Sequence, residues 1–196
     1  MDAQSLRSTI KPCRDLMRKD EGLSSDVERL PQFSWMLFLK CFHDHEVRRE
    51  KKSKKYKRIL PNNLRWENWT NPKNIPDSKL ITFVNGTLFP SLADLDGNDA
   101  STQKQHISSM FKGFKNSVQS PSILRQIIEK IDTLSFASSD DIHTMAKMYE
   151  DMLIEMKDAS GQNGEFYTAR PVIRFIVNIV KPSLKKKEIV LDPASG

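Results

Sequence analysis

At 196 residues, the chain is long enough for one well-buried core, or for one domain with the beginning of another. With 38% hydrophobic and 29% charged residues its composition is that of a globular protein and not a disordered one; its longest apolar run, Trp35–Leu39, is far too short to cross a bilayer, and without a basic-then-apolar leader a cytoplasmic location with no membrane contact is expected. The net charge of +6 sits in one segment: eight of the 31 basic and two of the 25 acidic residues fall in Glu46–Arg58, and outside it the signs balance at 23 each.

In chain order, the first half reads as irregular apart from a helix over 30–44. Pro31 suits its first turn, and Phe33, Trp35, Met36, Leu37, Phe38, Leu39, Cys41 and Phe42 are apolar on more than one side, which predicts a largely buried helix. Cys13 and Cys41 lie far apart without C-x-x-C spacing and are expected to be two buried thiols, not a disulfide. The stretch CFHDHE offers Cys41, His43, Asp44, His45 and Glu46, yet on a helix His43 leaves the face shared by Cys41 and His45, and no second ligand pair follows; no metal is expected.

The basic run, EVRREKKSKKYKR, contains Arg48, Arg49, Lys51, Lys52, Lys54, Lys55, Lys57 and Arg58. A local cationic patch suits a phosphate backbone; a solvated, self-repelling loop accounts for it equally well, because a charge run alone names no partner. In ILPNNLRWENW that follows, Pro61 and two Asn break the pattern, while Trp66 and Trp69 offer large apolar anchors. TNPKNIPDSK reads as a loop.

The middle is more regular. Ile107, Met110, Phe111, Phe114 and Val118 fall on one helical face, Ser120 caps and Pro121 opens a helix with Leu124, Ile127, Ile128, Ile131 and Leu134 inward, and Ser139 or Asp140 starts a third helix reaching Met156. Its methionine stripe is read as core packing. The pattern then changes at KDASGQNGEFYTARP, a loop in which Thr168 can cap and Pro171 enters a helix with Val172, Ile173, Phe175, Ile176, Ile179 and Val180. Lys181-Pro182 stops that helix, and Glu188–Leu191 has the composition of a strand running into the turn DPASG. A boundary near 158–164 follows, giving a helical domain over 1–160 and the start of a second domain over 161–196.

Two motifs, GQNGEFYTARPVIRFIVNIVKP and IVLDPASG, in this order and about twenty residues apart, resemble the modification subunit of Type I restriction-modification systems. The first is similar to that family's G-x-[FY]-[FY]-T-P-R-P loop and helix, with Ala169 where the family has Pro. The second is similar to the opening of its D-P-A-x-G-x-G-G loop. MYEDML and LPNNLRW also look like the family's helical N-terminal domain.

The resemblance implies a mainly α chain: an N-terminal helical domain, then the first helix and first strand of a Rossmann-like (class I) methyltransferase α/β domain. It implies S-adenosylmethionine as cofactor, held by Glu165, Phe166, Tyr167, Thr168, Ala169 and Arg170 on one side and by Asp192, Pro193, Ala194, Ser195 and Gly196 on the other. Arg170 would meet the cofactor carboxylate, Asp192 its positive groups, and the small residues would let the backbone approach. The implied activity is methyl transfer to the exocyclic amine of adenine in double-stranded DNA. The implied partners are a specificity subunit, a second modification subunit and a restriction subunit.

The family's N-P-P-[FY] motif, which grips a flipped-out adenine, has no counterpart: Asn71-Pro72 is followed by Lys73 and reads as a turn. No catalytic residue is therefore assigned, and the expectation is an N-terminal portion of a longer subunit, inactive alone. The competing reading is a non-catalytic helical module that binds DNA or the specificity subunit. A dehydrogenase-like enzyme is disfavoured, because no G-x-G-x-x-G is complete.

Overall fold

The computed structural model describes residues 3–96, 101–136, 168, 170–183 and 188–191. It divides into two units, residues 1–150 and 151–196. Among the described residues the chain is helical and carries no strand.

In the first unit, α1 (Ala3–Met17) turns Ile10, Cys13 and Met17 inward at spacings of three and four, and it packs on α7 (Pro121–Asp132). This helix lies in the part of the sequence read as irregular, and it carries Pro12 inside it. Next comes α2 (Asp26–Lys52), which begins a turn earlier than expected and runs eight residues further. Its start is a capping box: the Ser25 side chain accepts from the Glu28 amide, and the Glu28 carboxylate accepts from the Ser25 amide. Phe33, Trp35, Met36, Leu37 and Leu39 are all buried, which explains the absence of a polar face along this stretch.

After a 3-10 turn at Asn62–Leu64 and the single turn α3 (Trp66–Trp69), both indoles are buried. Trp69 lies 5.2 Å from Trp66 and 6.1 Å from Trp35, ring centre to ring centre, and Trp35 meets Phe89 edge-on at 5.0 Å. Asn71 makes the turn read from sequence: its side chain accepts from the Lys73 amide and its carbonyl from the Asn74 amide.

Helix α4 (Asp77–Phe83), a π-helical turn (Val84–Leu88) and α5 (Phe89–Ala93) then form one continuous helical path. Then α6 (Thr102–Phe111) ends where Gly113 takes φ 77°, so Phe114 and Val118 lie beyond the helix on whose face they were expected, and Met110 is 53% exposed. In α7 the expected cap holds, with the Ser120 hydroxyl accepting from the Ile123 amide, and Leu124, Ile127, Ile128, Ile131 and the following Leu134 are buried.

Polar side chains tie these helices together across long sequence separations. Asp20, between α1 and α2, accepts from the amides of Gly22, Gln119 and Ser120 and so terminates α7 from outside. From α7, Arg125 is 4% exposed and reaches Asp77 at 2.7 Å and the carbonyls of Thr70 and Ile75.

The second unit contains α8 (Arg170–Val180). It stops at Lys181, φ 47°, just before Pro182, as expected. The helix starts at Arg170. Its apolar residues are 42–64% exposed. The expected strand at Glu188–Leu191 does not form: the residues have no regular structure, and Ile189 is 97% exposed. A parallel strand exists only through its neighbours, and none is present among the described residues. The helix expected from residue 139 to Met156 lies outside the described residues.

Candidate nucleic-acid interface and cofactor site

The cationic segment begins on a helix and finishes on a fixed turn. The residues from Glu46 to Lys52 are the last turns of α2, whose end is marked by the Ser53 amide donating to the Arg49 carbonyl. Tyr56 closes the following turn through its amide to the Ser53 carbonyl, 3.0 Å. From there the chain runs back along α2.

Three carboxylates hold that return path. Glu46, 3% exposed, accepts the Tyr56 hydroxyl and, at 2.7 Å, the Ile59 amide. Glu50 accepts from Arg58 Nε at 2.9 Å and Nη2 at 2.6 Å. Glu67, on α3, accepts from Arg58 Nη1 and lies 2.8 Å from His43 Nδ1. The Arg49 guanidinium covers the Tyr56 ring at 5.7 Å. The space among His43, Glu46, Arg58 and Trp66 is only about 10 Å³, no more than one water fills.

The eight cations of the run thus divide. Arg58 is half-buried and paired with two carboxylates, Arg49 stacks on a ring, and Arg48 is half-buried. Lys51, Lys52, Lys54, Lys55 and Lys57 are exposed and pair with nothing among the described residues. The lysines are thus solvated, as either reading of the run expects, while the turn that carries Lys54, Lys55 and Lys57 is held by the carboxylates. Sequence reading had treated Glu46 and Glu50 as mere charge offsets; their spacing of four, one helical face, was the available signal.

The CFHDHE residues are occupied by packing. Asp44 accepts from Lys40 at 3.0 Å and from the Phe136 amide at 2.8 Å, and Glu46 holds the return path. Burial lowers the His43 pKa below its ordinary value against the pull of Glu67 and Asp44; burial and then Arg49 and Arg48 lower that of His45. Among the described residues no cluster of three metal-ligating side chains occurs. Cys13 is buried and Cys41 half-buried; burial raises their thiols to about 12 and about 11, so both are inert at neutral pH.

Of the eleven residues proposed to hold a cofactor, Thr168 is described and exposed, and Arg170 opens α8, where the helix leaves unpaired amides. Glu165, Phe166, Tyr167, Ala169, Asp192, Pro193, Ala194, Ser195 and Gly196 lie outside the described residues. An open groove of about 420 Å³ lies over Phe89, Phe111 and Phe114 in the first unit. No described helix is long and apolar enough to cross a membrane.

Residues 6–131 match the family model described as the HsdM N-terminal domain, and residues 140–196 match that of N-6 DNA Methylase. The Type I restriction enzyme EcoEI methylase subunit of Escherichia coli is 38% identical over 194 residues, 98% of this chain. The chain spans 39% of the length of that curated relative. Among solved structures, a modification subunit from Vibrio vulnificus YJ016 superposes with a TM-score of 0.82 at 37% identity, over 92% of this chain and 41% of the other. A chain from a study of complex assembly and conformational transition in the type I R-M system superposes with a TM-score of 0.74 at 31% identity, over 93% of this chain and 36% of the other.

Proposed function

The chain belongs to the HsdM N-terminal domain family, and on that premise we propose that it is the N-terminal portion of a Type I modification subunit, which transfers a methyl group from S-adenosylmethionine to the exocyclic amine of adenine in duplex DNA. The observation that carries this reading is the order of the two matches: a helical domain over 6–131 and an N-6 DNA methylase segment over 140–196. We place the working boundary at residue 160, with 161–196 beginning the methyltransferase domain.

The donor set suits the cofactor. S-adenosylmethionine supplies an electrophilic methyl on a sulfonium, beside an amino group and a carboxylate. Arg170 at the start of α8 joins a guanidinium to a helix N-terminus, both suited to a carboxylate. Asp192 brings the opposite charge, and Pro193, Ala194, Ser195 and Gly196 permit close backbone approach. Glu165, Phe166, Tyr167, Thr168 and Ala169 complete the pocket.

The exposed apolar side chains of α8 and of Ile189, Val190 and Leu191 support the same reading. In a polypeptide as long as the relatives, they are covered by the remaining strands and helices of a Rossmann-like sheet. Partner subunits for specificity and restriction, a second modification subunit and a cytoplasmic location belong to this reading as well.

The test is cofactor binding and methyl transfer by the polypeptide extended to the relatives' length, assembled with a specificity subunit. Asp192→Ala and Arg170→Ala are each expected to weaken S-adenosylmethionine binding about ten- to hundredfold, the loss of a charge-assisted contact. Unchanged affinity in both would contradict the assignment. The 196-residue chain alone is expected to transfer no methyl group.

A second reading is favoured by the five exposed lysines: the helical unit itself contacts duplex DNA, with or without catalysis. Binding that weakens steeply with salt, and less steeply once lysines are removed, would support it.

A further inference from the structure

The lysines that point to solvent do not stand on a flexible tether. Lys51 and Lys52 end α2; the turn that carries Lys54 and Lys55 is closed by the Tyr56 amide, the return limb with Lys57 is held by Glu46 through Tyr56 and Ile59, and Arg58 is clasped between Glu50 of α2 and Glu67 of α3. The Arg58 side chain is 12% exposed. A cation so placed cannot reach a phosphate without breaking two ion pairs.

We infer that Glu46, Glu50, Glu67 and Arg58 are positioning residues of a DNA-backbone contact: they fix the turn 53–59 so that Lys54, Lys55 and Lys57, beside Lys51 and Lys52 at the end of α2, meet the phosphates already ordered. This rests on the reading of those lysines as DNA contacts. Acidic residues inside a cationic patch oppose an anionic ligand through charge; they favour it only by preorganisation, because a turn ordered beforehand loses less conformational freedom on binding. The two effects have opposite signs, which makes them separable.

The experiment measures binding of the 196-residue chain to short random-sequence duplex DNA across a potassium chloride series, with amide exchange of 53–59 followed in parallel. Glu50→Gln combined with Glu67→Gln raises the net charge by two, so charge alone predicts tighter binding. The clasp predicts binding about three- to tenfold weaker and faster exchange of the Tyr56 and Ile59 amides. Arg58→Met provides the second arm. An arginine on a phosphate would take about 0.9 off the salt slope when removed; the clasp predicts lower affinity with the slope unchanged, whereas Lys54→Ala reduces the slope.

Tighter or unchanged binding by the double glutamine variant, with wild-type binding intact, overturns the positioning role and leaves the DNA reading standing. A reduced slope for Arg58→Met overturns it too. Absence of salt-dependent binding by the wild-type chain overturns the DNA reading, and the positioning role falls with it.

Discussion

At the scale of single residues, the fold depends on close approaches between segments about fifty to a hundred positions apart. Gly22 is one: a Cβ there would lie 2.0 Å from the Ser117 carbonyl oxygen. Gly22→Ala should therefore cost about 2 kcal/mol through backbone displacement, seen as a lower urea midpoint with an unchanged slope. Arg125 is another. Replacing it with Met leaves the Thr70 and Ile75 carbonyls without their donor, at a cost of about 2 kcal/mol, and should increase amide exchange over 70–77 more than elsewhere. Neither residue was legible as structural from sequence, because the partners of Gly22 and Arg125 become neighbours only after folding. Ser120 and Pro121 were legible, since a cap and a first-turn proline act on amides within three positions.

At the scale of elements, local chemistry decided what was readable. The capping box at Ser25 and Glu28 sets the start of α2, and Ser25→Ala should destabilise by about 1 kcal/mol, measurable by thermal unfolding. Pro31, expected in the first turn, lies inside α2, where tertiary packing outweighs the hydrogen bond it removes. Apolar periodicity alone overran the end of α6, where one glycine with positive φ reverses the chain. Helix α2 also carries a pH dependence. His43 and His45 have folded-state pKa values below their ordinary 6.5, so the unfolded chain takes up protons first. Their contribution is present above about pH 6.5 and declines as pH falls through the depressed values. The urea midpoint should thus fall from pH 7.5 to pH 5.5, and His43→Asn should flatten that fall; a midpoint rising on acidification would contradict the assignment.

At the scale of the molecule, the sequence carried the division of labour further than the geometry does. The charge excess was visible as a single run, but its sorting into two structural arginines and five exposed lysines required the carboxylates of two helices in place. The resemblance in the last forty residues rested on motif order, which survives without neighbours, whereas the strand expected at Glu188–Leu191 cannot, since its backbone groups pair only across a sheet. The proposed place of the chain in an adenine-specific DNA methylase is open to direct test. The most direct measurement assembles the polypeptide of the relatives' length with a specificity subunit, supplies labelled S-adenosylmethionine and duplex DNA, and identifies the labelled nucleoside after digestion. Label is expected on N6-methyldeoxyadenosine, and less of it with Asp192→Ala at cofactor concentrations that suffice for the wild type; label on cytosine, or none in DNA from an assembly that binds the cofactor, would contradict the proposed function.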